Sequence, residues 1–172
     1  AGIPRYSCLG YIVLGRILEQ VYGQPLDVLA RQFVFDPLGM THAEFNPPGE
    51  NIAATEVNPL TGEFLIGVVH DENARFLGGI SANAGLFGDL NDCARFAQML
   101  AQQGEGLLSP ATMRKATLNY TPGHDVHRGL GFHLGGTEGN YLGDLFPADS
   151  FGHTGFTGTS IAVDPHSGLW AV

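Results

Sequence analysis

The segment Phe151-Gly152-His153-Thr154-Gly155-Phe156-Thr157-Gly158 sets an imidazole and two hydroxyls among three glycines. Glycines at these positions strip side chains from a strand and let a ligand's backbone or an acyl group lie against it. Such a strand supplies N–H donors to an oxyanion and imidazole or hydroxyl donors to a carboxylate. The same pattern also describes a glycine-kinked strand in an ordinary sheet. A second candidate is Tyr6, in Arg5-Tyr6-Ser7-Cys8-Leu9-Gly10-Tyr11. A phenol at the start of a helix can hydrogen-bond a neighbouring hydroxyl and, beside cations, shuttle a proton. A tyrosine there also serves as an amphipathic cap on a core.

No activated-serine motif is complete. Gly-x-Ser-x-Gly fails because Gly79-Ile80-Ser81-Ala82 is followed by Asn83. Ser-x-x-Lys fails because Lys115 is the single lysine and Thr112 stands three residues before it. The 7 histidines invite a metal reading, with His124 and His127 in Gly-His-Asp-Val-His and His70 beside Asp71. Zinc asks for at least three convergent protein ligands, and this His-x-x-His lies in a Gly-Pro loop instead of on a rigid helix. The expectation is therefore no metal and no cofactor.

Helices and strands must position these groups. Leu9, Ile12, Val13, Ile17, Leu18 and Val21 follow one helix face from Cys8 to Tyr22, and Gly23 ends it. Pro25 opens a second helix with the stripe Leu26, Leu29, Ala30, Phe33 and Val34, which Pro37 is expected to stop. Residues 41 to 80 read as a long loop, with only Glu63 to Val69 extended. Asp89 is a plausible N-cap for a helix facing inward with Leu90, Cys93, Phe96, Ala97 and Leu100, and Ser109-Pro110 opens a short fourth. After Gly123 come short strands, Gly129 to Gly135, Phe151 to Gly155, Thr157 to Val163 and Leu169 to Val172, with Asp164-Pro165-His166-Ser167-Gly168 as a hairpin loop. The expected layout is one domain, of which 1–172 is a part: residues 1–123 mainly helical with the loop at 41–80, and 124–172 antiparallel strands.

At 172 residues, 44% hydrophobic and 15% charged, with a mean hydropathy of +0.05, the chain has the composition of a packed domain and not of a disordered tail. No run reaches the roughly 18 apolar residues of a membrane helix, and the N-terminus carries no export signal. A net charge of −9 disfavours nucleic acid and anionic lipid. Two distant cysteines, Cys8 and Cys93, exclude a disulfide framework and read as small hydrophobes in helices. The last strand is still apolar at Val172 and the first helix begins without a tail, so both ends are expected to be cut from a larger domain. Self-association or docking of a missing segment would then cover them.

Together Tyr6-Ser7-Cys8 and His153-Thr154-Gly155 resemble the Tyr-x-Asn and Lys-Thr-Gly or His-Thr-Gly motifs of the serine β-lactamase and penicillin-binding-protein superfamily, in its class C and esterase-like branch. Phe35-Asp36-Pro37-Leu38-Gly39-Met40, His70-Asp71-Glu72-Asn73-Ala74, Ala84-Gly85-Leu86-Phe87 and Asp92-Cys93-Ala94-Arg95-Phe96 resemble its further landmarks in order. The resemblance implies an α/β fold of the α+β type, a helical region packed on an antiparallel sheet. It implies an upstream serine nucleophile absent from this chain, so that the chain alone is expected to be inactive. Carried over, Tyr6 is the general base or the serine's hydrogen-bond partner, and Cys8 stands where asparagine contacts substrate. His153 and Thr154 bind a carboxylate or ester, Gly155 completes the motif, and the N–H of Phe156 gives one oxyanion donor.

Cysteine at 8 replaces an amide with a weak thiol, and histidine at 153 replaces a fixed charge with a titratable one. Both departures favour an esterase or another hydrolase over a potent β-lactamase. The implied substrate is a β-lactam, a D-amino-acyl peptide or a small ester, with no nucleic acid and no transmembrane segment. A non-catalytic binding module with the same cleft and a metal-dependent hydrolase are the alternatives. Exported relatives are common in the superfamily, which is compatible with a periplasmic or secreted protein and fixes neither.

Overall fold

The computed structural model describes residues 4–49, 51–137 and 140–172. The chain divides into two compact units, Tyr6–Asp89 and one containing Leu90–Val172.

In the first unit, helix α1 (Cys8–Tyr22) ends at Gly23, whose φ of 67° puts it in the left-handed region and whose N–H donates to Glu19 O at 2.8 Å. The Glu19 carboxylate accepts from Arg16 at 2.6 Å and from the N–H of Leu26 at 3.0 Å, tying the end of α1 to the start of α2 (Leu26–Ala30). Gly15 is buried because a Cβ there would lie 2.9 Å from the Cβ of Ala82. The apolar stripe of α1 is not buried as its spacing predicts. Leu9, Val13, Ile17, Leu18 and Val21 are all exposed, and among the described residues Gly15 alone is buried in this helix.

Pro37 does not stop the second helix. A π-helical turn at Arg31–Phe35 follows α2, and the chain continues as α3 (Asp36–Leu38) to a left-handed Gly39. In the π turn the N–H of Asp36 reaches back five residues to Arg31 O, so the widened turn absorbs the proline ring and its missing N–H. The stretch read as loop contains structure. β1 (Glu44–Phe45) pairs with β4 (Leu86–Phe87), and β2 (Ala54–Val57) forms an antiparallel hairpin with β3 (Phe64–Ile66). Helix α4 (Glu72–Phe76) is capped by Asp71, which accepts from the N–H of Ala74 at 2.8 Å.

The second unit places α5 (Leu90–Ala101) on a four-stranded antiparallel sheet, β5 (His133–Leu134), β6 (Phe151–Thr154), β7 (Ser160–Val163) and β8 (Trp170–Ala171), in the order β5-β6-β7-β8. The helix packs on β7 and β8. Its buried positions are Asp92, Ala97, Met99 and Leu100, whereas Leu90 and Cys93, expected to face inward, are exposed. Phe151, Ala162, Val163, Leu134 and Met113, the last on α6 (Pro110–Ala116), complete this core, and Phe132 meets Phe151 edge-on at 5.0 Å. Ser109 caps α6 by accepting from the N–H of Thr112 at 3.1 Å.

The β7–β8 loop is organised by Asp164. Its backbone N–H donates to Leu169 O at 2.8 Å, and its carboxylate accepts from the N–H of His166 at 2.9 Å and from the Ser167 hydroxyl. The Ser167 hydrogen bond, first, holds this carboxyl below the usual carboxylate range. Gly168, at φ 73°, closes the turn.

Candidate active site

Tyr6 and Cys8 flank the start of α1 in the first unit. Tyr6 is 70% exposed, Ser7 occupies the extended N-cap position, and Cys8 is the half-buried first residue of the helix. The other sequence-predicted residues are contiguous in the second unit. His153 and Thr154 end β6, Gly155 follows, and Phe156 is 89% exposed in the turn to β7.

Strand β6 is paired unequally along its length. Toward β7 all four residues are matched, with His153 opposite Ile161 and Thr154 opposite Ser160. Toward β5 the register ends early, because His133 lies opposite Gly152 and Leu134 opposite Phe151. His153 and Thr154 thus lie beyond the end of β5, on a margin of the sheet to which an extended ligand can be added. Gly155 is fixed by its surroundings, since a Cβ at this position would fall on the hydroxyl of Thr159. Its N–H donates to Thr159 O at 2.7 Å, closing the turn that carries Phe156.

The His153 ring has a defined tautomer. Nδ1 lies 2.7 Å from the backbone carbonyl oxygen of Thr154, and a carbonyl only accepts, so Nδ1 carries the proton. In the neutral ring Nε2, on the opposite edge, is then the acceptor; in the imidazolium it is a second donor.

Two further residues that sequence reasoning did not single out form a row with His153. The His133 ring meets it edge-on, with centroids 4.5 Å apart and planes at 89°. Tyr141 meets His133 in the same manner at 5.6 Å and donates its hydroxyl to Ile161 O at 2.7 Å. Burial, then Arg128, then His153, lower the pKa of His133 to about 4, and burial pushes the Tyr141 phenol up to about 12. Both are neutral at pH 7. The only trace of His133 in the sequence is its place in the Gly129 to Gly135 strand, and nothing in the spacing joins it to a residue 20 positions later.

A family model described as Beta-lactamase matches residues 2–172. A protein of Escherichia coli O157:H7 named "Putative D-alanyl-D-alanine carboxypeptidase" is 38% identical over 183 aligned residues, which take in 93% of this chain and 42% of that protein. A protein of the same name from Salmonella enteritidis is 36% identical with the same coverage. The chain therefore spans less than half the length of these relatives. A solved structure described as a beta-lactamase from Mycobacterium bovis superposes with a TM-score of 0.71 at 22% identity, over 96% of this chain and 53% of that one. The octameric penicillin-binding protein homologue from Pyrococcus abyssi gives 0.72 at 22% identity, over 98% and 37%. These likenesses establish the fold as β-lactamase/transpeptidase-like, with mixed helices and antiparallel sheet.

Proposed function

The chain belongs to the beta-lactamase family, and we propose that it carries the tyrosine and the substrate-binding strand of a serine acyl-transfer hydrolase. The nucleophile would come from a Ser-x-x-Lys segment, which these 172 residues do not contain. In this reading Tyr6 takes the serine proton as Oγ attacks the substrate carbonyl, and returns it to the leaving amine or alcohol as the C–N or C–O bond breaks. Water then hydrolyses the acyl-enzyme by the reverse proton path. His153 and Thr154 bind the substrate carboxylate, and the N–H of Phe156 serves the oxyanion. The observation that supports it most is the end of β6, where a His-Thr-Gly run extends beyond β5 with Nδ1 of the imidazole already committed to the backbone. The name of the relatives favours a D-alanyl-D-alanine peptide among the candidate substrates.

The test uses a polypeptide joining this chain to a Ser-x-x-Lys segment, assayed for D-alanine release and for covalent labelling by a fluorescent penicillin. Tyr6→Phe should lower kcat on the order of 10²–10⁴-fold with little change in KM, because proton transfer belongs to the transition state. The 172-residue chain alone should give no covalent adduct. A serine adduct on this chain, or an unchanged kcat in Tyr6→Phe, would overturn the reading.

A further inference from the structure

His133 occupies a position that the substrate-binding role of His153 does not by itself require. It lies opposite Gly152, where a Cβ would fall on the Tyr141 hydroxyl and the Ile161 carbonyl. The absence of a side chain at 152 therefore admits Tyr141 over the strand, and Tyr141 in turn abuts His133. The result is a row of three rings, Tyr141, His133 and His153, each perpendicular to the next to within 2°. Its far end is anchored by the Tyr141 hydrogen bond to Ile161, the residue paired with His153 across β6 and β7.

An imidazole beyond the end of a neighbouring strand turns freely about χ1 and χ2 unless something holds it, and ordering such a side chain on binding costs affinity. One restraint is the Nδ1–H bond to Thr154 O, which a single rotation would break. The second is the perpendicular contact with His133, a favoured geometry for aromatic pairs. We propose that His133 is a positioning residue for His153, its ring holding Nδ1–H of the His153 imidazole on the Thr154 carbonyl so that, in the imidazolium, Nε2–H is presented as the donor to the substrate carboxylate. Arg128 acts on His133 electrostatically, and among the described residues no carboxylate is a member of the row. The carboxylate half of this assignment rests on the function proposed above; the tautomer half does not.

The experiment is long-range ¹H–¹⁵N correlation of the histidine rings in the whole chain, which reports the tautomer of His153 directly. In the native protein His153 should be the Nδ1–H form. His133→Phe, which keeps a ring, should retain it. His133→Gln, which keeps polarity and similar size without a ring, should shift His153 toward the Nε2–H form usual in solution. Titration with D-alanyl-D-alanine at a pH at which the His153 ring is charged, followed on that ring, should weaken about 2- to 10-fold in His133→Gln, which loses the orientation of the imidazolium, and recover in His133→Phe. An unchanged tautomer in His133→Gln, or an equal change in both variants, overturns the positioning role. Failure of the dipeptide to shift the native ring overturns the substrate reading and the carboxylate half, while the tautomer comparison still decides whether His133 positions His153.

Discussion

The hydroxyl of Tyr141 donates to the carbonyl of Ile161 at 2.7 Å through the space that Gly152 leaves empty. A methyl at 152 would meet both groups, but they differ in kind: the phenol ends a side chain that can turn away, and the carbonyl belongs to the backbone of the paired strand. Gly152→Ala should therefore destabilise by about 1–3 kcal/mol or more, against about 0.5–1.5 kcal/mol for Tyr141→Phe, which loses one hydrogen bond. The double substitution should stay nearly as unstable as Gly152→Ala alone. Urea denaturation of the three variants checks this, and full recovery in the double would show that the phenol was the obstacle.

His133 and Tyr141 contribute to stability at opposite ends of the pH range. His133 titrates at about 4 when folded and near 6.5 when unfolded, so between those values the unfolded chain binds more protons. Stability should fall as pH is lowered from about 6.5 to about 4, by roughly 1–2 kcal/mol once solvent screening of a half-exposed ring is allowed for. His133→Phe should flatten that acid limb. Tyr141 has the reverse sign: with its phenol raised to about 12, stability should be lost as pH rises from about 10 toward 12, and Tyr141→Phe should remove the loss. Thermal melts across the pH range measure both.

Helix α1 was legible from its 3, 4, 7 spacing and from Gly23, and α6 from Ser109-Pro110, because both signals act within a few residues. Strand β3 lies within the stretch Glu63 to Val69 read as extended, but its partner β2, and so the hairpin, was not legible. Ala54, Glu56 and Val57 of β2 are exposed, so the strand has no buried face to leave an alternation in the sequence. Pro37 misled for a different reason, since a π turn is a change in hydrogen-bond register with no composition of its own. At the candidate site the His-Thr-Gly run could be read directly, while His133 and Tyr141 could not, because their relation to His153 is made by pairing across strands.

Cys8 offers a test of substrate class. Asparagine presents an amide donor and acceptor that a thiol lacks. In a polypeptide supplying the serine, Cys8→Asn should raise the acylation rate with a fluorescent penicillin and leave hydrolysis of p-nitrophenyl acetate within a few-fold, since the ester has no side-chain amide to recognise. Equal effects on both substrates would remove Cys8 from substrate contact.

The exposed stripe of α1 leads to an expectation for the 172-residue chain in solution. Leu9 at 65% and Val21 at 72% exposure lie along one apolar face with Val13 and Ile17. Faces of this kind drive association. Sedimentation equilibrium should show reversible self-association, and Leu9→Ser with Val21→Ser should weaken it without lowering the thermal midpoint of dilute protein. A strictly monomeric native chain would refute this.

The π turn at Arg31–Phe35 has a consequence for how this part of the chain tolerates change in length. It holds one residue more per turn than an α-helix, and each helical residue advances the chain by about 100° and 1.5 Å. Deleting one residue here would leave an ordinary α-helical turn in which the Pro37 ring meets the carbonyl one turn before it, so the shortened chain should be less stable. Because the extra residue is taken up within a single turn, the helical segments on either side keep their direction, and Gly39, Met40 and the strand at Glu44–Phe45 should leave toward Leu86–Phe87 with or without it. The extra residue is the room that Pro37 needs, contained within one turn.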